Sequence, residues 1–165
     1  MIAYVGLGSN LGRREAAVLA ALRTLESSGA ARVRAVSSLY ESEADGIPGA
    51  PRFINAVAEV EPLLPAGLLL ERMQSIEAGM GRSGGHQQSR EIDLDLITYG
   101  AETGVFGPLT LPHPRFHSRS YVLIPLQEIA PGFVCPKTGR AVSGLVSDLG
   151  GDGTGVERVS GRTVG

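Results

Sequence analysis

An α+β domain, with a mainly antiparallel sheet and helices packed on it, is predicted by three features of the first hundred residues. Two segments, 11–27 and 65–80, carry the three- and four-residue apolar spacing of amphipathic helices. Shorter β-like runs lie before, between and after them. Clusters of Gly, Pro, Asn and Asp fall where the chain must turn. The order β-α-β-β-α-β is the ferredoxin-like, split βαβ arrangement.

Each element has its own signal. Ile2 to Leu7 reads as the first strand, and Gly8-Ser9-Asn10 as a turn in which Ser9 or Asn10 caps the following helix. Val18, Leu22 and Leu25 mark the buried stripe of that helix. Arg32 to Glu41 reads as a single second strand. Ser42 to Arg52 contains Asp45-Gly46, Pro48-Gly49 and Pro51, so it is a long irregular loop. Phe53 to Glu61 alternates as a strand does. Pro65 fits the first position of a helix whose buried face is Leu69, Met73, Ile76 and Met80. A Gly-, Ser- and Gln-rich loop, 81–89, leads into a strand containing Asp93 and Asp95. A hairpin through Leu109 to Leu111 follows, then a helix from about Ser118 to Ile129, closed by Pro131. Residues 1–150 are expected to form one domain. The tail, 151–165, is rich in glycine, has little to bury and is expected to be mobile or loosely attached.

Composition narrows the function classes. The chain has 165 residues, is 42% hydrophobic and 19% charged, and carries a formal net charge of −2, which leaves no electrostatic footprint for nucleic acid. Four Tyr, four Phe and no Trp supply no base-stacking platform. Cys135 is the only cysteine, so an internal disulfide and a thiolate metal cage are both excluded. No apolar stretch is long enough for a membrane span. MIAYVGLGSN has no basic leader before its apolar run and reads as a strand rather than a secretion signal, so a cytoplasmic location is expected. Lys137 is the single lysine and does not follow a glycine, so a GK[ST] phosphate loop is absent. Phosphates, if bound, must be held by arginine, metal and backbone amides.

The most informative segment is Ser89-Arg90-Glu91-Ile92-Asp93-Leu94-Asp95-Leu96-Ile97. Strand side chains alternate, so Asp93 and Asp95 share one face, roughly 7 Å apart at a rise of about 3.3 Å per residue. Their oxygens can converge on one or two hard divalent cations. Unpaired, they would repel each other, so a metal ion, the neighbouring Arg90, or both are expected between them. The alternative is a solvated outer face of an edge strand, where acidic residues deter aggregation.

Other segments carry weaker signals, each with a plain structural alternative. Gly6-Leu7-Gly8-Ser9-Asn10-Leu11-Gly12 is one residue too long for a GxGxxG dinucleotide fingerprint and reads better as a tight turn, which can still lie beside a ligand. Gln74 and Glu77 share a helical face beside the buried stripe, either solvated or turned to a ligand. Arg82 and Arg90 bracket the loop before the aspartates, suited to neutralising phosphate charge or simply solvated. Leu111-Pro112-His113-Pro114-Arg115-Phe116-His117-Ser118-Arg119 precedes a helix, where phosphate contact by His113 and Arg119 competes with a capping role. Phe53 and Asn55 alternate on a strand, as a stacking ring and a paired donor–acceptor for a heterocycle edge, or as core and edge residues.

Six segments in order carry a family likeness: YVGLGSNLG, SSLYES at 37–42, FINAV at 53–57, QSIEAGMGR at 74–82, SREIDLDLITYG at 89–100 and LPHPRFHSRSYVLIPLQEIAP at 111–131. From Tyr4 to about Pro131 the chain resembles the 6-hydroxymethyl-7,8-dihydropterin pyrophosphokinases of the folate pathway. The resemblance implies a ferredoxin-like enzyme that moves the terminal diphosphate of ATP to the hydroxymethyl group of the pterin and releases AMP. Asp93 and Asp95 would then hold two magnesium ions. Phe53 and Tyr121 would sandwich the pterin, with Asn55 and Ser42 reading its edge. Gln74, Glu77, His113 and Arg119 would bind ATP, with Thr110 and Leu96 near the nucleoside, and Arg82 and Arg90 would be catalytic-loop arginines. A monomer is expected, with ATP and the pterin as its partners and neither nucleic acid nor membrane. The chain departs from the family pattern in the loop before Arg90, which is shorter and has Gly84 and Gln87 near places often held by Trp and Arg. Glu43 and Asp45 also stand where apolar residues often flank the pterin pocket. Two other classes compete: a metal-dependent glycosyl- or nucleotidyl-transferase, which also uses an Asp-x-Asp pair, and a non-catalytic binding module.

Overall fold

Alternation along three adjacent strands decides which face of the sheet becomes core and which becomes cleft. The computed structural model describes residues 1–44, 48–80, 91–150 and 155–163, with backbone alone over 160–163. The strands are β1 (Ala3–Ser9), β2 (Ala31–Val36), β3 (Ser38–Ser42), β4 (Phe53–Pro62), β5 (Asp93–Tyr99) and β8 (Val156–Thr163), joined in one sheet. Its order is β5-β1-β4-β3-β8, with β2 also paired to β4. β1 runs antiparallel to both β4 and β5. Helices α1 (Arg14–Ser27) and α2 (Ala66–Gly79) follow β1 and β4. This is the β-α-β-β-α-β arrangement expected from the sequence, with its second strand divided into β2 and β3 and with further elements at its C-terminus.

One face presents Ala3, Val5 and Leu7 of β1, Ile54, Ala56, Ala58 and Val60 of β4, and Leu94 and Leu96 of β5. The buried stripes of α1 and α2, including Val18, Leu25, Leu69 and Met73, cover it. The opposite face presents Tyr4, Gly6, Gly8, Phe53, Asn55, Val57, Asp93, Asp95 and Ile97. Its apolar part is covered by α3 (Ser120–Ile129) and α4 (Val142–Asp148), which bring Val122, Leu123, Leu126 and Leu145 onto Val57 and Ile97. The polar and glycine-bearing part is left uncovered and becomes the cleft. A small hairpin, β6 (Gly104–Phe106) and β7 (Leu109–Leu111), precedes α3.

Three sequence expectations change in detail. The single second strand is two strands, β2 and β3, because the register against β4 slips between Val36 and Tyr40. Ser37 sits at the slip and is fully buried, its hydroxyl accepting the Val57 N–H at 2.9 Å and donating to the Ser38 carbonyl at 2.8 Å. The turn expected at Gly8-Ser9-Asn10 begins later, since β1 runs through Ser9, and no side chain caps α1. Asn10 instead donates from Nδ2 to the Pro51 carbonyl at 3.0 Å. Finally, residues 156–163 of the glycine-rich tail form β8 on the outer edge of β3. The tail has few apolar groups, but a strand can be held by its backbone ladder, which composition does not reveal.

Leu126 is fully buried in the layer that sets α3 on the sheet. Leu126→Ala is expected to cost about 2–5 kcal/mol in denaturant unfolding. A loss within experimental error of zero would mean that this layer does not fix α3.

Candidate active site

A single row of residues runs across five strands on the face that bears the cleft. Asp93 of β5 pairs with Gly8 of β1, Gly8 with Asn55 of β4, Asn55 with Tyr40 of β3, and Tyr40 with Arg158 of β8. Directly opposed residues share a face. The next row holds Asp95, Gly6 and Val57. The aspartates and Asn55 thus flank a glycine-floored trough. A Cβ added at Gly8 would lie 3.2 Å from Asn55 Oδ1 and 3.3 Å from the Phe53 ring, so only glycine leaves those two side chains where they are.

The trough opens into a cleft of about 630 Å³. Every described residue expected at the site borders it: Ser42, Phe53, Asn55, Gln74, Glu77, Asp93, Asp95, Leu96, Thr110, His113, Arg119 and Tyr121. Arg82 and Arg90 lie outside the described residues, as does Asp45. Because β5 is the edge strand, the cleft wraps around it. One lobe lies between the sheet face and α3, and the other reaches past β5 to α2 and β7.

In the first lobe, Asn55 donates from Nδ2 to Ser42 Oγ at 2.8 Å, and both residues are buried. That bond orients the amide and leaves a planar donor–acceptor edge beside Phe53. Tyr121 stands at the start of α3, with the Arg119 guanidinium 5.6 Å from its ring centroid, a cation–π distance. The end of the loop before Phe53 is gripped from α1: Arg14 donates to the Arg52 carbonyl at 2.9 Å, and Arg14 and Arg52 both pair with Glu41, at 3.1 and 3.2 Å.

In the second lobe, Arg119 Nη1 lies 3.5 Å from Asp95 Oδ2 and His113 Nε2 lies 3.9 Å from Asp95 Oδ1. The His113 N–H donates to the Ile97 carbonyl at 2.7 Å, and its Nδ1 accepts the Arg115 N–H at 3.1 Å. That bond assigns the proton of the neutral ring to Nε2, the nitrogen turned toward Asp95. Burial, followed by the charges of Arg119 and Arg115, pushes His113 down to about 4, while Asp93 acts weakly in the other direction. His113 is therefore a neutral donor at pH 7.

One alternative read for the site needs correction. Glu77 is not on a solvated helical face: it is 2% exposed, and its Oε2 accepts the Leu94 N–H at 3.0 Å. Leu94 lies between the two aspartates, so Glu77 ties α2 to the strand that carries them. Leu96 borders the cleft, but its side chain is buried in the core under α1 and α2. Gly6 and Gly8 are the residues that the sequence reading underrated. Their signal was glycine at alternate positions of a strand, which exposes one face of backbone rather than making a turn.

Two predictions follow from this geometry. The His113 ring proton shift in the metal-free protein should titrate near pH 4, and a midpoint at 6.5 or above would contradict the burial argument. Between those values the unfolded chain binds more protons than the folded one. The stability contributed by neutral His113 is thus complete above about 6.5 and lost as pH falls toward about 4. For Glu77, an unsatisfied buried amide costs about 1–3 kcal/mol, so Glu77→Leu should speed exchange of the Leu94 amide by about tenfold or more. Glu77→Gln, which keeps an acceptor, should leave it slow. Equal exchange in the two variants would remove the proposed tie.

Comparison with known proteins gives the chain's family. Residues 4–131 match the family model described as 7,8-dihydro-6-hydroxymethylpterin-pyrophosphokinase (HPPK). The 2-amino-4-hydroxy-6-hydroxymethyldihydropteridine pyrophosphokinase of Haemophilus influenzae is 36% identical over 137 residues, covering 82% of this chain and 86% of that protein. The Bacillus subtilis protein of the same name is 38% identical over 129 residues, covering 78% and 77%. Among solved structures, wild-type Plasmodium falciparum HPPK-DHPS with pteroate superposes with a TM-score of 0.71 at 14% identity. That match covers 89% of this chain but only 42% of that longer one, and it speaks for the fold alone. With a family model spanning most of its length and relatives above a third identical, the chain belongs to the 7,8-dihydro-6-hydroxymethylpterin-pyrophosphokinase family.

Proposed function

We propose that this chain transfers the terminal diphosphate of ATP to the hydroxymethyl group of 6-hydroxymethyl-7,8-dihydropterin, a step of folate biosynthesis that releases AMP. One observation carries the reading: Gly8 separates Asp93 from Asn55 on a single row of the sheet. A phosphate group held at the carboxylates and a heterocycle held at Asn55 would meet over a strand with no side chain in the way. Phe53 and Tyr121 flank the pterin ring, and Asn55 and Ser42 read its edge. Gln74, Thr110, His113 and Arg119 bind ATP with Leu96 near the nucleoside, and Glu77 supports that lobe from beneath β5. Arg82 and Arg90 meet the phosphates from the loop before β5.

Magnesium, as two ions held by Asp93 and Asp95, is part of the reading. The donor set fits: two carboxylates on one strand face offer hard oxygen ligands. Among the described residues, no group of three or more His, Cys, Asp or Glu could hold a metal ion by itself. Magnesium commonly binds through one or two carboxylates and completes its shell with substrate phosphates and water. When bound, the metal supplies neutralisation of phosphate charge and eases loss of the proton from a hydroxyl.

The chain's own groups do the rest. The pterin hydroxyl oxygen attacks the β-phosphorus, the bond from that phosphorus to the AMP oxygen breaks, and the hydroxyl proton passes to solvent water. No covalent enzyme intermediate is needed, so alignment and charge neutralisation are the main tasks. Arg119 contributes positive charge beside Asp95, and neutral His113 contributes a hydrogen-bond donor through Nε2–H. Action as a monomer belongs to the same reading, and the single buried thiol of Cys135 is compatible with the reducing cytoplasm.

Chromatography of ATP incubated with the pterin and magnesium should yield AMP, and omission of either should abolish it. Loss of a metal-holding carboxylate removes several kcal/mol of charge stabilisation, so Asp95→Ala should lower turnover by about 100-fold or more. Release of ADP in place of AMP, or near-normal turnover by Asp95→Ala, would overturn the reading.

A further inference from the structure

We propose that the C-terminal strand β8 is a positioning element for the pterin lobe of the cleft, acting through β3 and through Glu128 of α3. The inference rests on the assignment of Ser42, Phe53, Asn55 and Tyr121 to the pterin. β8 lies outside residues 4–131, the part of the chain that the family model matches.

Three observations carry it. First, β8 covers a selected part of the sheet edge. β2 and β3 both pair with β4, but β8 pairs with β3, the strand that ends at the cleft. Val156 is opposite Ser42, which is itself opposite Phe53 and accepts the hydrogen bond of Asn55. Without β8, this stretch of β3 would be an unpaired edge. Its terminal residues would then lose the ladder that fixes them.

Second, Arg158 closes the row that runs from Asp93 through Gly8, Asn55 and Tyr40. It faces the cluster around Glu128. The Glu128 carboxylate accepts the Ser38 N–H at 3.0 and 3.1 Å, the Ser38 hydroxyl at 2.9 Å and the Tyr40 hydroxyl at 2.5 Å. Burial opposes its charged form, yet the bonds from Tyr40 and Ser38 and the charge of Arg158 hold it below its ordinary value.

Third, Glu128 and Tyr121 are at opposite ends of the same ten-residue helix. Pinning its last turn to β3 fixes where its first turn stands relative to Phe53 and Ser42. The Glu128 cluster therefore connects α3 to β3. β8 pairs with β3 and adds the charge of Arg158 beside the cluster, and these elements frame the pterin lobe together with β4. The ATP lobe is framed mainly by α2, β5 and β7, which β8 does not pair with, and Arg119, which enters it from the start of α3, is held there by Asp95 of β5 as well.

The test compares the intact chain with a chain ending at Gly150, and with full-length Arg158→Ala and Glu128→Gln. The substitutions leave the fold's apolar layers intact, so they decide the matter if the shortened chain does not fold. The expected result is a KM for the pterin raised about fivefold or more, with kcat and the KM for ATP within about twofold of the intact chain. Exchange of the Tyr40 and Ser42 amides should quicken in the shortened chain. Unchanged KM values for both substrates would overturn the proposal. So would a parallel rise in both, because a strand that only stabilises the domain would not discriminate between lobes. Failure of the intact chain to make AMP would instead overturn the functional reading on which the proposal rests.

Discussion

Two like charges on adjacent outward positions of one strand are unfavourable unless positive charge meets them, and much of this molecule is arranged around that constraint. Asp93 and Asp95 project over Gly8 and Gly6, which raise no side chain against them. Arg119 and His113 approach Asp95 from the segment entering α3, and Glu77 holds the strand from behind through Leu94. The strand is an edge strand, so the carboxylates can be reached from the sheet face and from the side of α2. A buried central strand would have allowed only the first approach.

The division of faces explains how a small domain accommodates such a site. α1 and α2 supply nearly all the packing for one face, which frees part of the other. On that second face α3 and α4 cover only Val57, Ile97 and their neighbours. Apolar cover and open cleft meet at the start of α3, where Tyr121 borders the cleft and Val122 and Leu123 enter the core. Most of the described site residues are therefore mounted on regular elements whose positions are fixed by core packing, and His113 and Arg119 lie on the short segment between β7 and α3. Fixed positions are a requirement for alignment-dependent chemistry.

Much of this was legible in the sequence because it depends on period and order. The alternation of Asp93 and Asp95, and of Phe53 and Asn55, fixed which residues share a face, and the six ordered segments fixed which strands carry them. What was not legible depends on single long-range contacts. The break between β2 and β3 comes from the Ser37 hydroxyl meeting the Val57 amide, and nothing local marks Ser37 as different from its neighbours. Glu77 resembles any helical glutamate until the Leu94 amide is placed against it. β8 is held through pairing with a strand more than a hundred residues away, so its glycine-rich composition pointed toward looseness. Gly8 was read as a turn former and Gly6 as the end of a strand leading into that turn, because glycine signals a turn more often than a strand floor.

The most direct measurement of the central claim is a crystal structure with a divalent cation and a non-hydrolysable ATP analogue. The account predicts a magnesium ion about 2.1 Å from a carboxylate oxygen of Asp93 or Asp95, also bound by phosphate oxygens, with the second carboxylate engaged on the same cluster. Phosphates bound elsewhere, with Asp95 still turned to Arg119 and His113 and no ion beside either aspartate, would contradict it.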